Sequence, residues 1–378
     1  MNYFLVAGEA SGDLHASNVM RELKALDPNA TFRFFGGDKM ASIGGEPVKH
    51  YRDMAFMGIV AVVMNARKVL NNLDLCKKAV TDWKPDVLIL IDYASFNLKV
   101  AKYVKENIPE LPVYFYISPK IWAWKEYRIK SFRKYIDKMF VILPFETDFF
   151  AKHDFPVEYV GNPCVDSIAD FRSQPFDAVA FKAKYNLDER PVLAVLPGSR
   201  RAEIKSNLPL MLEVARKYPK FQVIVSGAPG IEDSFYAPFV AEDTKLVFGE
   251  TYKLLELAYT ALVTSGTATL ETALISTPQV VCYAYRGGSL PNWIFKQFMH
   301  VPYISLVNLI ADRMVVPELM GVLFNKVQLT ATLEPLLSDT PERRAMLEGY
   351  AEVQDKLGKP GAAAKTASLI YQSLKKNK

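Results

Sequence analysis

Apolar runs rich in Val, Ile, Tyr and Phe at 3–7, 31–35, 87–91, 113–117 and 139–143 punctuate the first half of the chain, with helix-period segments near 14–26, 66–82 and 97–107 between some of them. A strand that is apolar at every position, rather than at alternate ones, is buried on both faces, as in a parallel sheet covered by helices. The pattern restarts at 191–196 and continues at 221–225, 246–248, 261–264 and 279–283. Two doubly wound α/β domains are therefore expected. Each opens with a strand running into a small-residue loop and then a helix: Val6-Ala7-Gly8-Glu9-Ala10-Ser11-Gly12-Asp13 in the first, Leu196-Pro197-Gly198-Ser199-Arg200-Arg201 in the second.

Between the two patterns, Tyr159-Val160-Gly161-Asn162-Pro163 and the polar Arg172-Ser173-Gln174-Pro175 mark a linker, which puts the boundary near 165. The expected division is 1–165, 166–345 and a helical tail at 346–378, interrupted at Gly358-Lys359-Pro360-Gly361. A length of 378 residues, half of them hydrophobic and 23% charged, suits two globular domains and excludes disorder, collagen and coiled coil. The net charge of +5 suits anionic ligands or membrane surfaces without demanding nucleic acid. Cys76, Cys164 and Cys282 are odd in number and far apart, so neither a disulfide framework nor a zinc site is indicated, and a reducing cytoplasm fits. The apolar run at 3–7 lacks a cationic leader and is too short for a signal peptide. The run at 54–64 is roughly half of the ~20 residues a spanning helix needs.

Ligands of open α/β sheets bind beyond the carboxyl ends of the strands, so the loops there are the candidates. In Gly8–Asp13, two glycines admit close backbone approach and Ser11 stands near a helix start; a tight strand-to-helix turn is the competing reading, since the GxGxxG of a nicotinamide site is incomplete. Asp92 directly ends the most apolar strand, where partial desolvation would raise its proton affinity towards general-base work; Asp92, Ser95 and Asn97 are equally suited to cap a helix. Gly198, Ser199 and Arg200 offer backbone donors, a hydroxyl and a guanidinium ahead of a helix, which is what a diphosphate requires. Ser265-Gly266-Thr267 begins another helix, with Glu271 placed to accept hydrogen bonds from ribose hydroxyls, or is merely a well-capped helix start. Asn308 is a lone amide in an apolar segment.

Two surface features concern partners. The run at 54–64 leads into Arg67 and Lys68 and could take acyl chains or lie on anionic lipid, or be core. Between 119 and 138, seven cations interleave with Trp122, Trp124, Tyr127, Phe132 and Tyr135, a mixture suited to phospholipid or single-stranded nucleic acid. The four histidines are widely separated and Asp-x-Asp is absent, so no metal ligand set is visible and no cofactor is indicated.

Taken together, Val6-Ala7-Gly8-Glu9-Ala10-Ser11-Gly12-Asp13, Met57-Gly58-Ile59-Val60, Ile117-Ser118-Pro119 with Trp122-Ala123-Trp124, Leu196-Pro197-Gly198-Ser199-Arg200, Ser265-Gly266-Thr267-Ala268 with Glu271, and Asn308-Leu309 resemble the lipid-A-disaccharide synthases, in order and spacing, to about residue 320. The resemblance implies a GT-B glycosyltransferase: two Rossmann-like domains facing a cleft, with C-terminal helices crossing back to the first. It implies transfer from UDP-2,3-diacylglucosamine to 2,3-diacylglucosamine 1-phosphate, giving the β-1,6 disaccharide of lipid A and UDP. By position, Asp92 matches the family's proposed base, and Ser11, Glu9, Met57 and Val60 the acceptor side. Ser199, Arg200, Ser265, Gly266, Thr267, Glu271 and Asn308 match the UDP-sugar side. The implied partners are the two acylated sugars and the inner-membrane surface of a Gram-negative bacterium, contacted peripherally from the cytoplasm; nucleic acid is not implied, and a homodimer is compatible. The chain departs from the family pattern at Ser95, where a second acid is usual, at Asn162, where histidine is frequent, and at Val307, in place of a proline. A UDP-sugar epimerase of similar architecture and a non-catalytic lipid- or nucleic-acid-binding protein are the rival expectations.

Overall fold

The computed structural model describes residues 1–54, 66–124, 126–241, 244–284 and 302–376. It divides the chain into two compact units, Met1–Pro163 with Lys359–Lys378, and Cys164–Gly358.

The first unit is built on a parallel sheet of order β3-β2-β1-β4-β5-β6-β7, from β1 (Asn2–Ala7), β2 (Thr31–Gly36), β3 (Glu46–His50), β4 (Val87–Ile91), β5 (Val113–Tyr116), β6 (Lys138–Val141) and β7 (Glu158–Tyr159). Its central strands are inaccessible on both faces, which is why the sequence shows no alternation. Phe4, Val6, Leu88, Leu90 and Phe115 point to one side, where the helices Ala66–Trp83, Ala94–Asn107 and Ile129–Tyr135 supply Cys76, Val80, Val100 and Phe132. Tyr3, Leu5, Ile89, Ile91 and Tyr116 point to the other, covered by Ala10–Leu26 and by the C-terminal helix Ala362–Lys376. Burying each such side chain contributes about 1.5–3 kcal/mol. The C-terminal helix is held by Ala367, Ile370 and Leu374, which recur at helical spacing and are at most 3% exposed, and by Lys138 Nζ donating to Ser373 Oγ at 2.7 Å.

The second unit has the order β10-β9-β8-β11-β12-β13, from β8 (Val192–Leu196), β9 (Gln222–Gly227), β10 (Lys245–Phe248), β11 (Ala258–Thr264), β12 (Gln279–Tyr283) and β13 (Glu318–Met320). All its pairings are parallel.

Three edge strands, β3, β7 and β13, are absent from the apolar pattern because an edge is half-solvated and short; β3 carries Pro47, a residue sheets accept only at edges. The tail also differs from expectation. Helix Pro341–Leu357 stays with the second unit, and the return to the first begins at Lys359 rather than 346. The aromatic residues of 119–138 differ as well: Trp122 and Phe132 are buried, while Lys130, Arg133 and Lys134 face solvent. Tyr127, by contrast, is 70% exposed, so the aromatic residues of the segment are divided between core and surface. Among the described residues no helix is long and apolar enough to cross a membrane.

In each sheet the chain turns outward in opposite directions from two neighbouring strands, β1 and β4 in the first, β8 and β11 in the second. The loops after these four strands are the expected ligand edges, and they hold most of the candidate residues.

Candidate functional site

At the first switch point the backbone is unusual. Asp92 and Tyr93 are both left-handed, with φ of 44° and 47°, at the end of β4. Two consecutive non-glycine residues in this region cost of the order of 1–3 kcal/mol each and persist only when neighbours enforce them. Asn97 does so. Fully buried, it donates through Nδ2 to the carbonyl oxygens of Asp92 (2.7 Å) and Ile91 (3.2 Å). Tyr93 closes over Gly8, where a Cβ would stand 2.3 Å from the ring, and its hydroxyl donates to the Met54 carbonyl at 3.1 Å. The glycine of the first loop is therefore required by close approach of an aromatic ring.

These constraints hold the Asp92 carboxyl half-buried at the ligand edge. Desolvation, reinforced by Glu9, pushes it up to about 6, against the Tyr93 N–H and Lys120, which favour the anion. The capping reading of Asp92 is not realised: helix Ala94–Asn107 starts after Tyr93 with no side-chain cap. Asp13, by contrast, is structural. It is 2% exposed and accepts from the backbone N–H groups of Gly37 (2.7 Å), Lys39 (3.1 Å) and Met40 (3.2 Å), tying the first loop to the start of helix Asp38–Ile43. Ser11 is exposed in the first turn of its helix. Met57 and Val60 lie outside the described residues.

A second acid lies nearby. Glu146, 1% exposed, accepts from Trp122 Nε1 (3.1 Å) and from the N–H groups of Ile142 (3.2 Å) and Leu143 (3.0 Å). Burial pushes its carboxyl up to about 7, although those hydrogen bonds and Lys120 act the other way. Lys120 thus interacts with Asp92 and Glu146 together; its side chain reaches solvent, yet desolvation still lowers its ammonium from the ordinary value.

At the second switch point, Gly198 is left-handed (φ +115°) and the loop folds onto Glu203. The Glu203 carboxylate accepts from Ser199 N–H at 3.1 Å and from Arg200 Nη1 at 3.0 Å, and the Arg200 side chain remains 61% exposed. A carboxylate thus occupies the donors suited to a diphosphate. Ser265 and Gly266 lead into helix Thr267–Leu274, with open space around Gly266 where a Cβ would be. Behind them Tyr252 donates to Glu271 Oε1 at 2.6 Å, and desolvation raises the Glu271 carboxyl against that bond. Buried Asn207 joins the strand ends: it donates to Thr264 Oγ1 at 2.9 Å and accepts from Ala284 N–H at 2.9 Å.

Asn308 is placed differently from the expectation of ligand contact. It is fully buried, its Nδ2 donates to Val316 O and Glu318 Oε1 (both 2.8 Å), and its Oδ1 accepts from Val315 N–H (2.7 Å) and Val316 N–H (2.9 Å). With every hydrogen-bonding valence used, it fixes the 305–318 segment and does not reach a ligand directly.

Side-chain caps are present on some helices and absent from others, including those that begin after Arg128, Pro144, Glu232 and Glu250 as well as those at the ligand edge. The helices beginning after Asp177, Ser305, Asn325 and Thr340 have their first N–H groups satisfied by those side chains. The helices following β1, β4, β8 and β11 have none. Uncapped N–H groups at the ligand edge are available to anions and sugar oxygens.

Sequence reasoning did not single out Asn97 as a clamp, nor Glu146, Glu203, Asn207 or Tyr252 as parts of either site. Glu203 had a local signal, three residues beyond Arg200 on a helix. Trp122, the side-chain partner of Glu146, and Glu271, that of Tyr252, are 24 and 19 residues distant along the chain, so no spacing rule reveals them.

A family model described as Lipid-A-disaccharide synthetase matches residues 3–368. Similar proteins include the lipid-A-disaccharide synthase of Myxococcus xanthus (strain DK1622), 36% identical over 378 residues, covering 98% of this chain and 97% of that protein. That of Syntrophus aciditrophicus (strain SB) is 34% identical over 381 residues, covering 99% and 98%. Among solved structures, UDP-GlcNAc 2-epimerase from Neisseria meningitidis bound to UDP-GlcNAc superimposes with a TM-score of 0.68 at 13% identity over the whole of both chains. The calicheamicin glycosyltransferase gives 0.58 at 14% over 98% of each. At such identities the structural likeness is one of fold.

Proposed function

Since the chain belongs to the lipid-A-disaccharide synthase family, we propose an assignment of its residues to that family's reaction. The enzyme is a GT-B glycosyltransferase that joins UDP-2,3-diacylglucosamine to 2,3-diacylglucosamine 1-phosphate, forming the lipid A disaccharide and releasing UDP. The epimerase and non-catalytic readings are not favoured.

The observation that carries the residue assignment is the Asp92 carboxyl, fixed by a strained, clamped turn and raised to about 6. In this assignment it accepts the proton of the acceptor hydroxyl as that oxygen attacks the donor's anomeric carbon, and a base poised near the working pH contributes about 10²–10⁴ in rate. Glu9 and Ser11 belong to the acceptor side. On the donor side the leaving diphosphate replaces Glu203 on Arg200 and Ser199, at the uncapped start of helix Arg201–Ala215. The N–H groups after Ser265, Gly266 and Thr267 assist, and Glu271 accepts from the ribose hydroxyls. Stabilising departing charge by donors already in place costs no reorganisation at the moment of bond breaking. The test is product analysis by mass spectrometry after mixing both acylated sugars with the protein. Disaccharide formed only when both are present is expected; UDP released without acceptor would return the epimerase reading.

Both substrates keep their acyl chains in a bilayer, so the enzyme works at the inner face of the inner membrane as a peripheral protein. Leu70 (54% exposed) and Leu75 (40%) on helix Ala66–Trp83, with Arg67 and Lys68 at its start, follow in sequence the apolar run at 54–64, of which Met54 is core and 55–64 lie outside the described residues. Buried CH₂ groups contribute about 0.8 kcal/mol each and nearby cations about 1 kcal/mol on anionic lipid. Liposome flotation should fall for Leu70→Asp/Leu75→Asp with its circular dichroism unchanged; equal flotation by the folded variant removes this face from the membrane contact.

A further inference from the structure

We propose that Lys120 and Arg128 form the subsite for the phosphate monoester of the acceptor sugar, beside Asp92 on the first unit. The proposal rests on the acceptor reading of that unit.

The acceptor brings a phosphate of charge near −1.5 to −2 at neutral pH to an edge already holding Glu9, Asp92 and Glu146. Like charges in a poorly solvated place oppose one another unless cations stand among them. Two cations do. Lys120 interacts electrostatically with Asp92 and Glu146 and bonds to neither. The Arg128 guanidinium donates to Ser95 Oγ at 3.1 Å, a neutral partner, and pairs with no carboxylate among the described residues. Ser95 lies three residues beyond Asp92 in the uncapped first turn of helix Ala94–Asn107, so this bond holds Arg128 at the same strand end as the base.

Both cations are mounted on rigid supports. The Lys120 loop is anchored by Trp122, 5% exposed, through its bond to Glu146, and by Ile121, 1% exposed. Arg128 immediately precedes helix Ile129–Tyr135, which is fixed by Ile129 and by fully buried Phe132. Lys130, Arg133 and Lys134 are ordinary solvated charges on that helix. An ammonium and a planar guanidinium supply one point charge and one fork, a combination suited to the oxygens of a phosphomonoester. The arrangement thereby also distinguishes the two substrates. The donor sugar carries its diphosphate in ester linkage to the nucleoside, whereas the acceptor presents a terminal dianion.

The experiment compares the 1-phosphorylated acceptor with the same diacylglucosamine lacking phosphate, in mixed micelles, for wild type, Lys120→Ala, Arg128→Ala and Arg128→Lys. Wild type should prefer the phosphorylated acceptor by at least about 100-fold in kcat/KM, the scale of hydrogen bonds to two charged groups. Each alanine variant should lose about 10-fold or more of that preference through KM for the phosphorylated acceptor. KM for the UDP-sugar should change by less than about 3-fold in every variant, and turnover of the unphosphorylated acceptor by less than about 3-fold in the two Arg128 variants, whose side chain meets Ser95 and not the Asp92 carboxyl. Arg128→Lys, which keeps charge and loses the fork, should fall between. An equal loss on both acceptors would reduce the two cations to tuning Asp92 and overturn the subsite. Absence of preference in wild type overturns it without recourse to any variant. If wild type formed no disaccharide from either acceptor, the acceptor reading itself would fail, and calorimetric titration with the two sugars would still decide the subsite: equal affinities refute it, a phosphate-dependent difference lost in the variants supports it.

Discussion

The two switch points of this molecule share a topology and differ in electrostatics. At the end of β4 the chain holds Asp92 in a clamped, left-handed turn among other acids, so its proton affinity rises. At the end of β8 it holds an exposed Arg200 whose charge is met by Glu203 three residues later. The first environment stores a tendency to take up a proton; the second stores a displaceable internal anion. The same strand-loop-helix unit is thus specialised by which charges its loop desolvates, not by its backbone plan.

Asp92→Asn is expected to break the contrast most severely, lowering turnover at least about 100-fold while leaving UDP affinity unchanged. Unaltered turnover would exclude Asp92 as the base. In wild type, kcat/KM should be level above about pH 6 and fall roughly tenfold per unit below it, since the base must be ionised. Stability carries the opposite sign. A carboxyl raised above its ordinary value of about 4 makes the fold lose stability as pH rises from there to about 6, so Asp92→Asn should melt higher than wild type at pH 8.

Arg200→Ala comes next, weakening UDP binding by about 1.5–3 kcal/mol, the scale of a hydrogen bond to a charged group; an unchanged dissociation constant by calorimetry places Arg200 outside the site. Asn97→Ala should unclamp Asp92, reducing kcat by about tenfold and stability by about 1–3 kcal/mol through the two carbonyls left unpaired, and should move the acid limb of the pH profile. A stability loss with an unmoved limb would confine Asn97 to the fold. The smallest effect is expected from Glu203→Gln, which removes the internal competitor and tightens UDP by a few-fold; weaker binding would show that Glu203 organises the loop instead of blocking it.

The sequence revealed the doubly buried strands because burial on both faces leaves no polar position to interrupt them, and it revealed the loops because glycine and hydroxyl residues cluster where backbone must approach a ligand. It also made Asp92 visible, as an acid ending the most apolar strand. Its strain was not visible, because left-handed φ at Asp92 and Tyr93 is imposed by Asn97 and the space above Gly8, not by local preference. Asn308 shows the converse. A lone amide in an apolar segment, it is expected on the UDP-sugar side only from the family resemblance, and the positions of Val315, Val316 and Glu318 show its capacity already spent.

The helix Ala362–Lys376 covers one face of a sheet whose strands lie between residues 2 and 159. During synthesis that face, with Tyr3, Leu5 and Ile89, emerges long before its cover, and the whole second unit is made in between. The first unit therefore completes its core only after the second has been translated, and until then it exposes an apolar surface of the kind chaperones hold. A released chain ending at Gly358 would be expected to have a second unit that resists protease and a first that does not.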